Sequence, residues 1–309
     1  MTLFSLIFAL LLEQWRPAGD RSRIIRLFLS YADALERYFN TGVRRHGVAA
    51  WVAAVAPVLI VAGWIYYLLH NLNPLLAWAW NVVVLYFTMG FRQFSHSFAE
   101  IKDALKNGDL LLGRELLTEW RDVQADELSS EDIARITIEL ALIHSHRYVF
   151  GIIVFFVLLP GPLGPVLYRL AELLSERWSD SGKQERDPDA FGHFAAKAFE
   201  IIDWLPARST AVSFAIAGNF EDAVYCWRAQ AASWSDQAQG IVLASGAGAL
   251  GVRLGDSLRD GGGKYYRPEL GVGEEADMDF LQSTVGLIWR TLMLWLLLLL
   301  LLEIASWAG

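Results

Sequence analysis

The sequence predicts an all-α fold: a polytopic transmembrane helical bundle with cytosolic helical segments and one broken or re-entrant helix. Three observations predict it. Apolar residues make up 54% of the 309 residues while 19% are charged, too apolar for an ordinary soluble domain and too charged for a pure transporter, but suited to a membrane bundle with sizeable aqueous segments. Long uncharged runs occur, the clearest from Val48 to Leu69. Between such runs, Phe91, Phe94, Phe98, Ile101 and Leu105 recur at helical spacing.

Met1 to Leu12 is apolar but short of the roughly 20 residues that span about 30 Å of hydrocarbon. It has neither the basic start nor the small-residue cleavage site of a signal peptide, so a short or tilted helix that stays attached is expected. Val48 to Leu69 and Leu75 to Phe91, joined by an Asn-Leu-Asn-Pro turn, predict a helical hairpin. The hairpin puts residues 13–47 and 92–147 on one side, and their similar supply of Lys and Arg makes that side cytoplasmic.

Residues 1–91 thus form an N-terminal membrane region, and residues 92–147 a cytosolic helical segment. In the latter, one helix stops at Asn107-Gly108, a second starts at Asp109, and Ser129 with Asp132 announces a third through a capping-box pattern. Residues 148–218 are expected to be a broken or re-entrant membrane region. Pro160, Pro162 and Pro165 interrupt its first span and Pro206 with Arg208 its second, because proline lacks the N–H and clashes with the preceding turn. Residues 219–283 read as a polar, Gly-rich loop region, and 284–309 as a C-terminal transmembrane helix in which Arg290 and Glu303 can snorkel.

Several function classes fall away. A net charge of -8 argues against nucleic acid as a partner, which needs clustered cations. The single Cys226 excludes an internal disulfide and a thiolate metal site. Gly246-x-Gly248-x-x-Gly251 lacks the strand-turn-helix context of a dinucleotide fingerprint, and Gly261-Gly262-Gly263-Lys264 lacks the other residues of a phosphate loop, so a flexible loop is expected there. His144 and His146 are one residue apart, which turns their rings away from one another on a helix and makes a poor chelate. No metal site and no cofactor is evident.

The binding candidates are polar groups set against apolar segments. Arg208 lies inside an apolar run beside a proline, where an arginine is costly unless it faces a cavity or a partner. Glu139, His144 and Arg147 stand where a cytosolic helix would enter the membrane. They would line the mouth of the broken span and meet an anionic ligand, or else contact lipid head groups of the bilayer.

Asp203-Trp204-Leu205-Pro206-Ala207-Arg208 resembles the Asn-Trp-Ile-Pro-Ala-Arg signature of the CobD/CbiB family. Gly248-Ala249-Leu250-Gly251-Val252-Arg253-Leu254-Gly255 and Arg267-Pro268-Glu269-Leu270-Gly271 are similar to its C-terminal signatures, with weaker similarity at Ile133-Ala134-Arg135 and Leu167-Tyr168-Arg169. The resemblance implies a multi-pass protein of the bacterial inner membrane in late cobalamin biosynthesis, using ATP and magnesium to join aminopropanol phosphate to a corrin ring as an amide. It would give Arg208, Arg253 and Arg267 the phosphate or propionate groups of a corrinoid or other anionic amphiphilic ligand, make Gly248 and Gly251 ligand-facing, and leave Glu139 and Glu172 in place of lost acids. Ile143, His144 and Arg147 stand where the family carries Glu, Asn and Asp, so carboxylates that would hold magnesium are replaced. Met1-Thr2-Leu3-Phe4 and Glu13 are similar to the start of a sister branch, AmpE, which implies the alternative of a non-catalytic binding or signalling protein linked to cell-wall recycling and β-lactamase regulation.

Overall fold

The computed structural model describes residues 2–15, 21–40, 44–121, 128–180, 191–255, 258–260, 263–265 and 267–308. It is all-α apart from four very short strands, as the sequence predicts. The chain divides into two compact units, Met1–Gly90 with Gly151–Pro206, and Phe91–Phe150 with Ala207–Gly309.

The first unit opens with α1 (Thr2–Trp15), α2 (Arg21–Phe39), α3 (Arg44–Leu72) and α4 (Pro74–Thr88). The hairpin turn between α3 and α4 is built as its composition dictates. The Asn73 side chain accepts the Leu75 N–H at 2.9 Å and Pro74 takes the first helical position, where its missing N–H costs nothing. The second arm is shorter than expected: α4 ends at Thr88, and Phe91 starts α5 (Phe91–Lys106). The chain leaves the helix at Met89, whose backbone is extended and whose N–H still reaches the Leu85 carbonyl.

In the second unit, α5 stops at Asn107-Gly108, with Gly108 at φ +74°. The Asp109 side chain caps α6 (Leu110–Arg121), and Ser129 with Asp132 forms the expected capping box of α7 (Ser130–Ser145). A π-helical turn, His146–Phe150, carries α7 directly into α8 (Gly151–Leu158), so the apolar helix begins well before Tyr148. The break at the proline cluster is real. Residues 159–162 are non-helical, and Pro165 falls in the first turn of α9 (Leu163–Asp180), where proline is tolerated.

Two expectations are corrected. Pro206 does not interrupt its segment: α10 (His193–Ala217) runs through it, with Pro206 buried and the one hydrogen bond of its missing N–H given up. Nor are residues 219–283 a loop throughout. They contain α11 (Phe220–Gln230), a 3-10 turn (Ala231–Ser233) and α12 (Gln237–Leu250), with Asn219 and Asp236 as side-chain N-caps. After α12, β1 (Val252–Arg253) pairs in parallel with β4 (Glu274–Glu275), and β2 (Leu258–Asp260) antiparallel with β3 (Gly263–Tyr265). Part of the expected flexible glycine loop is therefore strand, while Gly261 and Gly262 lie outside the described residues. The last element is α13 (Met278–Ala308).

Three helices among the described residues are long and apolar enough to cross a membrane: His46–Leu72, Ser130–Leu158 and Met278–Ala305. The core of the first unit joins Ala32 of α2, Ala50, Ala54 and Val55 of α3, Leu170, Leu174 and Trp178 of α9, and Ala195 of α10. In the second unit α12 is buried from Gly240 to Ala249. Its glycines permit that burial: a Cβ on Gly248 would lie 2.4 Å from the Asp222 carbonyl oxygen of α11, and one on Gly246 would lie 2.7 Å from the Leu142 side chain of α7.

Candidate functional site

The site of the second unit grows from one carboxylate. Glu139 sits on α7, buried like its helix neighbours Ile136, Ile138 and Leu142, where an unpaired charge would be expensive. It is fully engaged. Arg267 Nη1 donates to Oε2 at 2.6 Å and Nη2 to Oε1 at 3.3 Å, while the Gly255 backbone N–H donates to Oε1 at 2.8 Å. A planar guanidinium facing both carboxylate oxygens is the strongest of the common charge-assisted pairings. The Trp234 ring lies 5.6 Å from the guanidinium carbon, within cation–π range.

The backbone that presents Arg267 and Gly255 folds into a small strand layer. Leu254 and Leu270 exchange both backbone hydrogen bonds, at 2.7 and 2.8 Å. Gly255 and Gly271, at φ +80° and +94°, must be glycine: a Cβ would meet the Pro268 carbonyl oxygen at 2.0 Å and that of Val252 at 2.1 Å respectively. The Gln230 side-chain amide clamps this layer to the end of α11. Its Oε1 accepts the Gly271 N–H at 2.6 Å and its Nε2 donates to the Gly271 carbonyl at 3.1 Å.

Arg253, on β1, is partly exposed and pairs with Glu275 at 3.2 Å and Glu269 at 3.6 Å. Arg147 stands 3.9 Å from Asp236, the residue that caps α12. His146 Nδ1 and the Thr210 hydroxyl of α10 are hydrogen-bonded at 2.9 Å in a buried position. His144 instead enters an aromatic cluster with Tyr148, Trp120 and Phe94, at ring separations of 5.0, 5.3 and 6.4 Å. The two histidines thus have separate environments. Arg208 is half-buried on α10. Gly248 packs on α11 and Gly251 ends α12 in a left-handed turn at φ +71°, which accounts for glycine at both positions by packing and conformation.

Of the sequence candidates, the fold joins Glu139 to Arg267 and sets Arg253 on the same strand layer; it places His144 apart. Glu172 belongs to the first unit, on α9, fully buried and hydrogen-bonded by Arg169 Nη1 at 2.5 Å. Another buried carboxylate of that unit, Asp203, accepts the Tyr168 hydroxyl at 2.7 Å. The pairings of Asp203, Gly255, Trp234 and Gln230 went unanticipated. Asp203 and Gly255 stand in the motifs quoted above and were open to notice, whereas Trp234 and Gln230 carry no spacing signal. Chemically, the layer carries two guanidinium groups in different states: Arg267 is neutralised by the buried Glu139, and Arg253 pairs with Glu275 and Glu269 in a partly exposed position.

The family model described as CobD/Cbib protein matches residues 6–288. A Stutzerimonas stutzeri protein named Cobalamin biosynthesis protein CobD is 34% identical over 97% of this chain and 98% of its own length. One of the same name from Chromobacterium violaceum is 36% identical over 91% and 88%, and one from Yersinia enterocolitica 27% identical over 88% of each. No solved structure matches the chain. With nearly its whole length matched, the chain belongs to the CobD/CbiB family.

Proposed function

We propose that this protein acts in cobalamin biosynthesis as a multi-pass protein of the bacterial inner membrane, in the ATP-dependent amidation that attaches aminopropanol phosphate to a corrin ring. The observation that carries the reading is the end-to-end similarity to relatives named for cobalamin biosynthesis. Supporting it, Arg253 and Arg267 stand on one strand layer built from the two C-terminal signatures, where Arg253, partly exposed, could exchange its surface carboxylates for phosphate or propionate oxygens while the Arg267–Glu139 pair holds the layer in place. The magnesium of the reaction would arrive with the nucleotide, since this ion is usually held by one or two carboxylates and the substrate phosphates. In this reading the chain's own part is to bind and orient the anionic groups.

A second reading, a non-catalytic AmpE-like binding or signalling protein, is favoured by one observation. Where the resemblance expects Glu and Asp, Ile143 and Arg147 stand instead, Arg147 near Asp236, and His144 in place of the family's Asn is held among aromatic rings, so from Glu139 to Phe150 the helix offers a ligand no carboxylate beyond Glu139. The decisive experiment is complementation of a strain lacking the amide-forming synthase, with calorimetry of the purified protein against adenosylcobyric acid and magnesium-ATP. Growth without the vitamin, lost in Arg253→Ala, supports the enzyme. Normal membrane expression with neither growth nor binding removes it and leaves the second reading.

A further inference from the structure

One exposed stripe runs the length of α13, and its chemistry changes partway. At about 100° per residue, Asp279 and Ser283 share a side of the helix with Met293, Leu297, Leu301 and Ile304. The first two, with the neighbouring Gln282, are exposed and polar, while the last four are exposed and apolar. Arg290 stands on the same stripe at the change, exposed beside the part-exposed Trp289. The opposite face stays buried through the change, at Leu281, Thr284, Ile288, Thr291 and Leu292. The covered side therefore meets protein on both sides of Arg290, and the open side meets two different surroundings.

Length and neighbours say what those surroundings are. The 31 residues of α13 extend about 46 Å against roughly 30 Å of hydrocarbon, so part of the helix stands outside. Residues 291–308 alone extend about 27 Å, close to the whole thickness. The part before them lies on α5: Phe91 meets Trp289 edge to face at 5.3 Å, and Lys102 Nζ donates to Gln282 Oε1 at 3.3 Å. α5 thus runs from the level of Arg290 back along the first half of α13, with His96, Glu100, Asp103 and Lys106 exposed. Hydrocarbon would leave those groups unsolvated. The start of α5 marks the same level independently, because the apolar α4 has just ended at Thr88. Among the described residues, the only side-chain hydrogen bond of Arg290 runs from Nε to the Gly286 carbonyl at 3.2 Å. Both terminal nitrogens are left to donate to an oxyanion, which a guanidinium receives in two-point fashion.

We infer that α13 enters the hydrocarbon at Arg290, whose guanidinium holds the phosphate of a lipid head group, while the half of the helix before it stands in water against α5. The inference does not depend on the biosynthetic reading. It is tested on the full chain in phosphatidylglycerol vesicles, with a nitroxide on Ser283→Cys, Met293→Cys or Leu297→Cys. All three positions are exposed and the natural Cys226 is buried, so the label goes to the introduced thiol. At Ser283→Cys a water-soluble nickel chelate should relax the label more than oxygen does, and at Met293→Cys and Leu297→Cys the order should reverse. Oxygen dominance already at Ser283→Cys overturns the inference, because Arg290 would then lie within the bilayer. So does a label at Met293→Cys and Leu297→Cys shielded from both agents, the mark of a second copy or a protein partner on the stripe. The phosphate contact is read by native mass spectrometry after exchange into phosphatidylglycerol or the phosphate-free digalactosyldiacylglycerol. The natural protein and Arg290→Lys should retain the phospholipid in preference to the glycolipid, and Arg290→Gln should lose that preference. Equal retention of both lipids by the natural protein, or a preference unchanged in Arg290→Gln, removes the phosphate from the inference.

Discussion

Glu172 and Glu139 are both buried carboxylates held by an arginine, but they get it in opposite ways. Glu172 takes the guanidinium of Arg169, one turn back on the same helix, whereas Glu139 takes that of Arg267 from 128 residues further along the chain. The first pair exists as soon as α9 forms. The second exists only when α7, α12 and the strand layer have assembled, and the Gly255 N–H that shares the carboxylate makes it a tie on the backbone as well. Local wiring protects a charge; long-range wiring also decides whether a segment of chain stays in place.

Replacement of Arg267 should therefore show the largest effect. Arg267→Ala leaves a buried carboxylate without its counter-charge and is expected to cost about 3 kcal/mol, read as a lower unfolding midpoint in detergent. Amide exchange should rise from Val252 to Glu275. Arg267→Lys should rescue little, since an ammonium cannot face both oxygens, while Glu139→Leu combined with Arg267→Leu should regain much of the loss. Next comes Gly255→Ala, at about 2–3 kcal/mol, because both its left-handed backbone and the Pro268 carbonyl forbid a Cβ. Arg169→Ala should cost about 2 kcal/mol and raise exchange in α9 alone. If it also opened residues 252–275, the contrast between the two glutamates would collapse.

Smaller effects belong to the surface. Ser129→Ala removes one arm of the capping box and should cost about 1 kcal/mol, measurable as fraying at the start of α7. Arg177→Ala should cost about 0.5 kcal/mol or less, since both it and Asp33 are substantially exposed. Its pH dependence has a definite sign. Arg177 holds the Asp33 carboxyl below its usual value, so the pair's contribution is complete above the unfolded carboxylate's value of about 3.9 and is lost as pH falls through the lower folded value. The gap in unfolding midpoint between the natural protein and Arg177→Ala should close on acidification.

What the sequence made legible was what neighbours decide. The Asn73-Pro74 turn, the Gly108 stop, the Ser129 capping box and the proline break before α9 each follow from residues within a few positions of one another. Pro206 misled because its local penalty is real, about 3 kcal/mol in an exposed helix, but is outweighed by the packing of a helix whose Asp203, Pro206, Ala207 and Thr210 are buried. α11 and α12 were hidden for a related reason: glycine lowers helix propensity, and only the close approach to Asp222 and Leu142 shows why Gly246 and Gly248 are there. At the candidate site, resemblance named Arg253 and Arg267, and Glu139 was singled out separately, but nothing in spacing links positions 128 residues apart. That pairing is a product of tertiary structure.

The three donors on Glu139 have a consequence for selectivity. A lone cation drawn to that carboxylate must expel Arg267 and strand it, and a lone anion drawn to Arg267 must strand Glu139. Either exchange trades one matched couple for another and leaves an orphan behind in a poorly solvated place. An arrival bearing both signs at once would leave no orphan, so the couple discriminates by charge pattern rather than by net charge.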